Sequence, residues 1–126
     1  SDIHESLYLS ELHFQQMVQM TKAADIPFLV IWLPAPLELG SNVQDSVLAK
    51  ILSTHRKMLK RLAAEHSKFE FWDSFNNIGE KLNADHIFLS KGLNNYHLSA
   101  KGSRWFAKKI TPGINSFLMA TLKDHI

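Results

Sequence analysis

The sequence contains no cysteine, which excludes disulfides, thiol nucleophiles and cysteine-ligated zinc while leaving the compartment open. No apolar run reaches the roughly eighteen residues that a membrane span needs, so no membrane span is expected. No charged-then-apolar opening reads as a signal peptide, although a processed chain would already have lost one. Charge of one sign is scarce too. The 14 basic and 12 acidic side chains leave a formal net charge of +2, too small to point to nucleic acid or a charged membrane surface. Internal repeats and low-complexity tracts are missing, and so is any glycine-rich phosphate loop. What is present is ordinary: 126 residues, 45% hydrophobic and 21% charged, as expected of one folded domain spanning residues 1–126.

Residues 5–24 carry Leu7, Tyr8, Leu12, Phe14, Met17, Val18 and Met20 at spacings mostly of three and four. This predicts a helix with one buried face. His4 and His13 fall on its solvated side, and Asp25 and Pro27 end it. Phe28-Leu29-Val30-Ile31-Trp32-Leu33 follows, bounded by Pro27 and by Pro34-Ala35-Pro36. A continuous apolar run rich in β-branched and aromatic residues predicts a strand buried on both faces, the kind found in parallel sheets covered by helices. The loop after it, through Gly40-Ser41-Asn42, stands where open α/β sheets hold ligands; it is equally a plain connection.

Residues 45–66 hold the clearest pattern. Val47, Leu48, Ile51, Leu52, Met58, Leu59, Leu62 and Ala63 make one stripe, with Lys50, Arg56, Lys57, Lys60 and Arg61 at other positions. A long amphipathic helix is expected, its basic residues forming a solvated face rather than a binding patch. His55 falls near the stripe with no partner at metal-ligand spacing. It reads as a packing residue, and no metal site or cofactor is expected. Residues 68–75 have strand composition, with Asp73 near the C-terminal end. Residues 76–84 suggest a short helix or turn and residues 85–93 a loop.

The stretch with most chemical content is Asn94-Asn95-Tyr96-His97-Leu98-Ser99-Ala100-Lys101-Gly102. Ser99 is suited to cap the first amides of a helix, and Gly102 allows that first turn a close backbone approach. Trp105, Phe106 and Ile110 supply a face that pins the helix. His97 is thereby delivered by the rigid start of a helix. It is either a structural histidine in a polar turn or a general base, since imidazole titrates near working pH. The pattern ends at Thr111-Pro112-Gly113, and residues 114–122 give a last helical segment.

The predicted order is helix, strand, helix, strand, helix. Two parallel strands cannot cover the apolar faces of so many helices, and the first helix feeds a buried strand as though a strand before it were missing. The chain is therefore expected to be part of a larger parallel sheet. The remainder would come from the N-terminal part of a parent protein, from a second chain, or from another copy in a homo-oligomer. The two strands should lie adjacent and parallel, joined by a right-handed crossover through the long helix.

The order of elements and the His97 block together resemble the C-terminal half of SGNH (GDSL-type) hydrolases, with their acyl-transfer relatives. In that family a buried strand ending in proline, a long helix, a second strand with an acidic residue and an Asp-x-x-His-Leu-Ser-x-x-Gly block come in sequence. The matching stretches are residues 28–34, 45–66, 69–75 and 94–102. The resemblance implies a three-layer α/β fold, SGNH/flavodoxin-like, with helices on both faces of a parallel sheet. It implies serine esterase or acyltransferase activity on a small acyl or ester substrate, without a cofactor. His97 would be the general base. The family's aspartate falls on Asn94, which can orient an imidazole but brings no full charge; Asp73 or Asp85 would have to replace that charge. The chain has no Gly-Asp-Ser stretch, and Gly40-Ser41 follows the wrong strand, so the nucleophile and oxyanion donors would lie outside this polypeptide. The other reading is a non-catalytic α/β module acting in assembly or binding. A flavodoxin-like ligand-binding domain ranks behind both because the phosphate loop is missing.

Overall fold

Helix α1 (Asp2–Ala23) ends as its sequence suggests, and the mechanism is specific. Asp25 takes a left-handed backbone conformation with φ 57°. Ile26 N–H donates to Thr21 O at 2.8 Å and Asp25 N–H to Lys22 O at 3.1 Å. These two bonds satisfy carbonyls that the last turn leaves open, with aspartate in the place usually taken by glycine. Pro27 then starts the extended backbone of β1 (Phe28–Trp32). The second helix, α2 (Val47–Glu65), leads through a short turn to β2 (Phe69–Asp73), and α3 (Ala100–Asp124) completes the order. This computed structural model describes residues 2–33, 47–74 and 97–124. The regions expected as a Gly40-Ser41 loop, a short helix over 76–84 and a loop over 85–93 lie outside the described residues.

The fold is mixed α/β, mostly helical, with a two-stranded parallel sheet of β1 beside β2. The pairing begins where both strands begin: Phe28 N–H donates to Lys68 O at 2.8 Å. The Phe28 and Phe69 rings stack there at 5.3 Å with 27° between planes. The expected adjacency and direction of the strands are thus present. The chain divides into two compact units, of which the described parts are residues 2–32 with 47–72, and residues 33, 73–74 and 97–124.

In the first unit α1 and α2 pack on one face of the sheet. They run in the same direction, because His4 and Tyr8 lie beside Thr54 and Met58, Glu11 beside Arg61, and Val18 beside Phe69. Val18, Met58, Leu59, Leu62 and Phe69 form the core, with Phe14, Phe28, Val30, Trp32, Ala63 and Phe71 packed against it. Alternation along each strand sends Phe28, Val30, Trp32, Phe69 and Phe71 to this side. It sends Leu29, Ile31, Glu70 and Trp72 to the other. A Lys68–Asp25 ion pair joins the end of α1 to the start of β2.

Three local expectations need correction. The strand read as buried on both faces is half-buried at every residue of β1, because a pair of strands shields little of either one. The apolar residues of α1 do not share one buried face: Val18 is buried, whereas Tyr8, Met17 and Met20 are exposed. Each position along a helix turns a side chain by about 100°; Phe14 and Val18, four apart, pack into the core, while Leu7 and Leu12 stay half-buried. Finally, Thr111-Pro112-Gly113 does not end the last helix. Helix α3 continues through Pro112 to Asp124. The ring removes one hydrogen bond, to the carbonyl four residues earlier, and the turns on either side keep theirs. The Thr111 hydroxyl donates to Ala107 O at this point, adding a bond beside the gap.

Candidate functional site

His97 is exposed and stands two residues ahead of α3. Ser99 is the N-cap. Its Oγ accepts from Gly102 N–H at 2.9 Å, and its carbonyl accepts the first helical bond from Ser103 N–H at 2.8 Å. That is the geometry expected for a cap to the third helical residue. Gly102 is buried, as is Phe106, and the Trp105 ring meets Phe106 edge-on at 5.0 Å and 80°. Lys109 Nζ lies 5.8 Å from the Trp105 ring centre, a cation–π contact that covers the indole from the next turn. The helix start is therefore fixed by a cap, a buried glycine and an aromatic pair. His97 lies two residues upstream of this fixed start, with its side chain exposed.

Asn94 and Asp85 lie outside the described residues. Asp73 is the last residue of β2 and is only 3% exposed; Ser74, which follows, is fully buried. Neither is without a partner. A carboxylate is costly to bury unless it is hydrogen-bonded or paired, so a buried Asp-Ser pair at a strand's C-terminal end is a feature the chain sustains deliberately. Asp73 was legible as a candidate from its place in the strand. Ser74 was not, because a serine beside a strand end has no distinguishing pattern.

An open groove of about 490 Å³ lies within the first unit, between the N-terminal half of α1 and the stretch of α2 from Thr54 to Arg61. His4, Tyr8, Glu11, His55, Lys57 and Arg61 line it with Leu7 and Met58 at its apolar side. Arg61 is engaged by Glu11 and, at 3.7 Å, by Glu65. These carboxylates hold the guanidinium pKa above its ordinary value, first through the Glu11 hydrogen bond and charge. His55 is half-buried, and its Nε2 makes no hydrogen bond. Burial pushes its pKa below the usual histidine value, as a packing residue beside an apolar stripe should show. His4 and His13 are exposed, as expected.

Among the described residues no group of three or more His, Cys, Asp or Glu side chains is placed to hold a metal ion. Among the same residues no helix is long and apolar enough to cross a membrane. Comparison with protein-family models, with curated proteins and with solved structures gives no match to this chain.

Proposed function

We propose that this chain is the C-terminal portion of an SGNH-like serine esterase or acyltransferase, with His97 as general base. In this reading the two-stranded sheet belongs to a larger three-layer sheet with helices on both faces, and the nucleophilic serine is supplied from outside residues 1–126. The observation that carries it is the exposed imidazole of His97 immediately before the Ser99–Gly102 cap. The half-exposed apolar positions Leu29, Ile31 and Trp72, on the sheet face away from α1 and α2, support a further layer.

In the proposed reaction His97 accepts the serine hydroxyl proton as the oxygen attacks an acyl or ester carbonyl. It returns the proton to the departing alcohol as the tetrahedral intermediate collapses. Asn94 would stand in the place of the family's aspartate and could orient the imidazole only by a hydrogen bond. It contributes no charge to stabilise the imidazolium, so a slow reaction is expected, which an acidic neighbour would accelerate. Oxyanion donors, often the largest stabilising element of acyl transfer, would come with the serine.

The test is ester hydrolysis by the parent polypeptide that contains the serine, measured with a p-nitrophenyl acyl ester. His97→Ala should lower kcat/KM by roughly three to four orders of magnitude while the unfolding midpoint stays unchanged, and Asn94→Asp should raise it. An unaltered rate in His97→Ala removes the assignment. The alternative is a non-catalytic α/β module acting in assembly, favoured by the exposed Tyr8, Met20, Met119 and Leu122. It is the reading that stands if no serine of the parent reaches His97.

A further inference from the structure

The near-neutral charge of the chain conceals an uneven distribution. Five of its 14 basic residues, Lys101, Arg104, Lys108, Lys109 and Lys123, lie in α3, against a single acid, Asp124, at the helix end. The rest of the chain has nine basic and eleven acidic side chains, so the positive charge of the protein resides in this one helix.

The two sides of α3 differ sharply. Gly102, Phe106, Ile110, Gly113 and Phe117 are buried or half-buried and recur at three- and four-residue steps, which defines the inward side. The outward side is the row Lys101, Arg104, Lys108, Thr111, Asn115, Leu118 and Leu122, at alternating steps of three and four, and every member is exposed. Its first half is cationic. Its second half is apolar and out in solvent: Leu118, Leu122 and the adjacent Met119 are 49%, 54% and 58% exposed. Exposed cations and exposed large apolar side chains thus share one face of a 25-residue helix, and no carboxylate interrupts the row.

We infer that this face of α3 docks onto an anionic lipid surface, with Lys101, Arg104 and Lys108 among the head groups and Leu118, Met119 and Leu122 entering the acyl boundary. A second copy of the helix is a poor occupant, because three cations in the row would meet either their own kind or apolar side chains. An acidic protein would complement the cations and leave the apolar end unmatched unless its own pattern were reversed in register. An anionic bilayer satisfies both halves at once, and its deformable surface suits a convex helix face.

The experiment is flotation of the full chain with vesicles, which separates bound protein from aggregates because aggregates sink. Binding is expected to vesicles of phosphatidylcholine with about one-third phosphatidylserine, to be weak on phosphatidylcholine alone, and to fall in high salt. K101Q/R104Q/K108Q should reduce partitioning on the order of a hundredfold, taking each surface cation to strengthen binding about fivefold. L118S/M119S/L122S should reduce it on both vesicle types. K50Q/K57Q, which removes equal charge per site from α2, should leave it unchanged. All these positions are exposed, so circular dichroism should show the helix content preserved. Failure to float with anionic vesicles at low salt overturns the inference, as does binding indifferent to the α3 cations. Capture by a soluble acidic polypeptide without vesicle binding does the same, and assigns the face to an acidic protein instead.

Discussion

Ser99 illustrates how much one side chain can settle. Its Oγ takes up the Gly102 amide, and Ser99→Ala should destabilise the protein by about 1 kcal/mol, with Ser99→Asp restoring most of the loss. Urea unfolding followed by circular dichroism reads both. Leu62, fully buried in the core of the first unit, belongs to another class: Leu62→Ala should cost about 2–5 kcal/mol in the same measurement. His55 gives a pH dependence with a definite sign. Burial lowers its folded-state pKa below 6.5, so the unfolded chain takes up the proton at higher pH than the folded one. Its contribution to stability is complete above the unfolded value and declines as pH falls below it. The decline levels off once the folded pKa is passed. Urea midpoints compared at about pH 7.5 and about pH 5.5 should differ, and His55→Leu should flatten the difference; an unchanged slope would mean that another group dominates.

Helix α3 shows where reading by local rule stops. A Pro-Gly pair is a strong punctuation signal, yet the helix continues through Pro112 to Asp124. Turns already formed on both sides make one missing bond tolerable. Pro112 is exposed, so Pro112→Ala restores the amide without disturbing packing and should stabilise the protein on the order of 1–3 kcal/mol. A thermal midpoint that falls instead would show that the ring shapes the helix. Helix α2 behaves as its stripe requires from Ile51 onward, whereas its first-turn Val47 and Leu48 remain exposed. Their periodicity is right, but among the described residues no element stands opposite them to bury the side chains. The end of α1 was legible from Asp25 and Pro27; the pair of bonds around the left-handed aspartate needed the backbone.

At the scale of the molecule, the described sheet consists of two strands. A sheet of two described strands leaves Leu29, Ile31 and Trp72 partly in water, and a strand edge without a partner invites pairing with another chain. The purified chain should therefore self-associate at micromolar concentration unless a completing segment is present, and sedimentation velocity is the measurement. A stable, cooperative monomer would contradict the expectation that the sheet is part of a larger one. The same experiment repeated with L118S/M119S/L122S separates association through the sheet from association through α3.

The amino-acid sequence alone determined the types and order of the described elements up to the start of α3, though not the continuation of α3 through Pro112, because helical and strand periodicities and the stop at Asp25-Pro27 are local properties of the chain. It also marked His97, through the cap two residues later. The starting point of the β1–β2 pairing at Phe28 and Lys68, the common direction of α1 and α2, and the choice of Val18 rather than Met17 or Met20 for the core came only from the tertiary structure. Burial depends on what stands opposite a side chain, and hydrophobicity says only that a residue is able to be buried. The same holds for α3, whose cations and exposed leucines are unremarkable along the sequence and gain meaning because one face of a continuous helix aligns them.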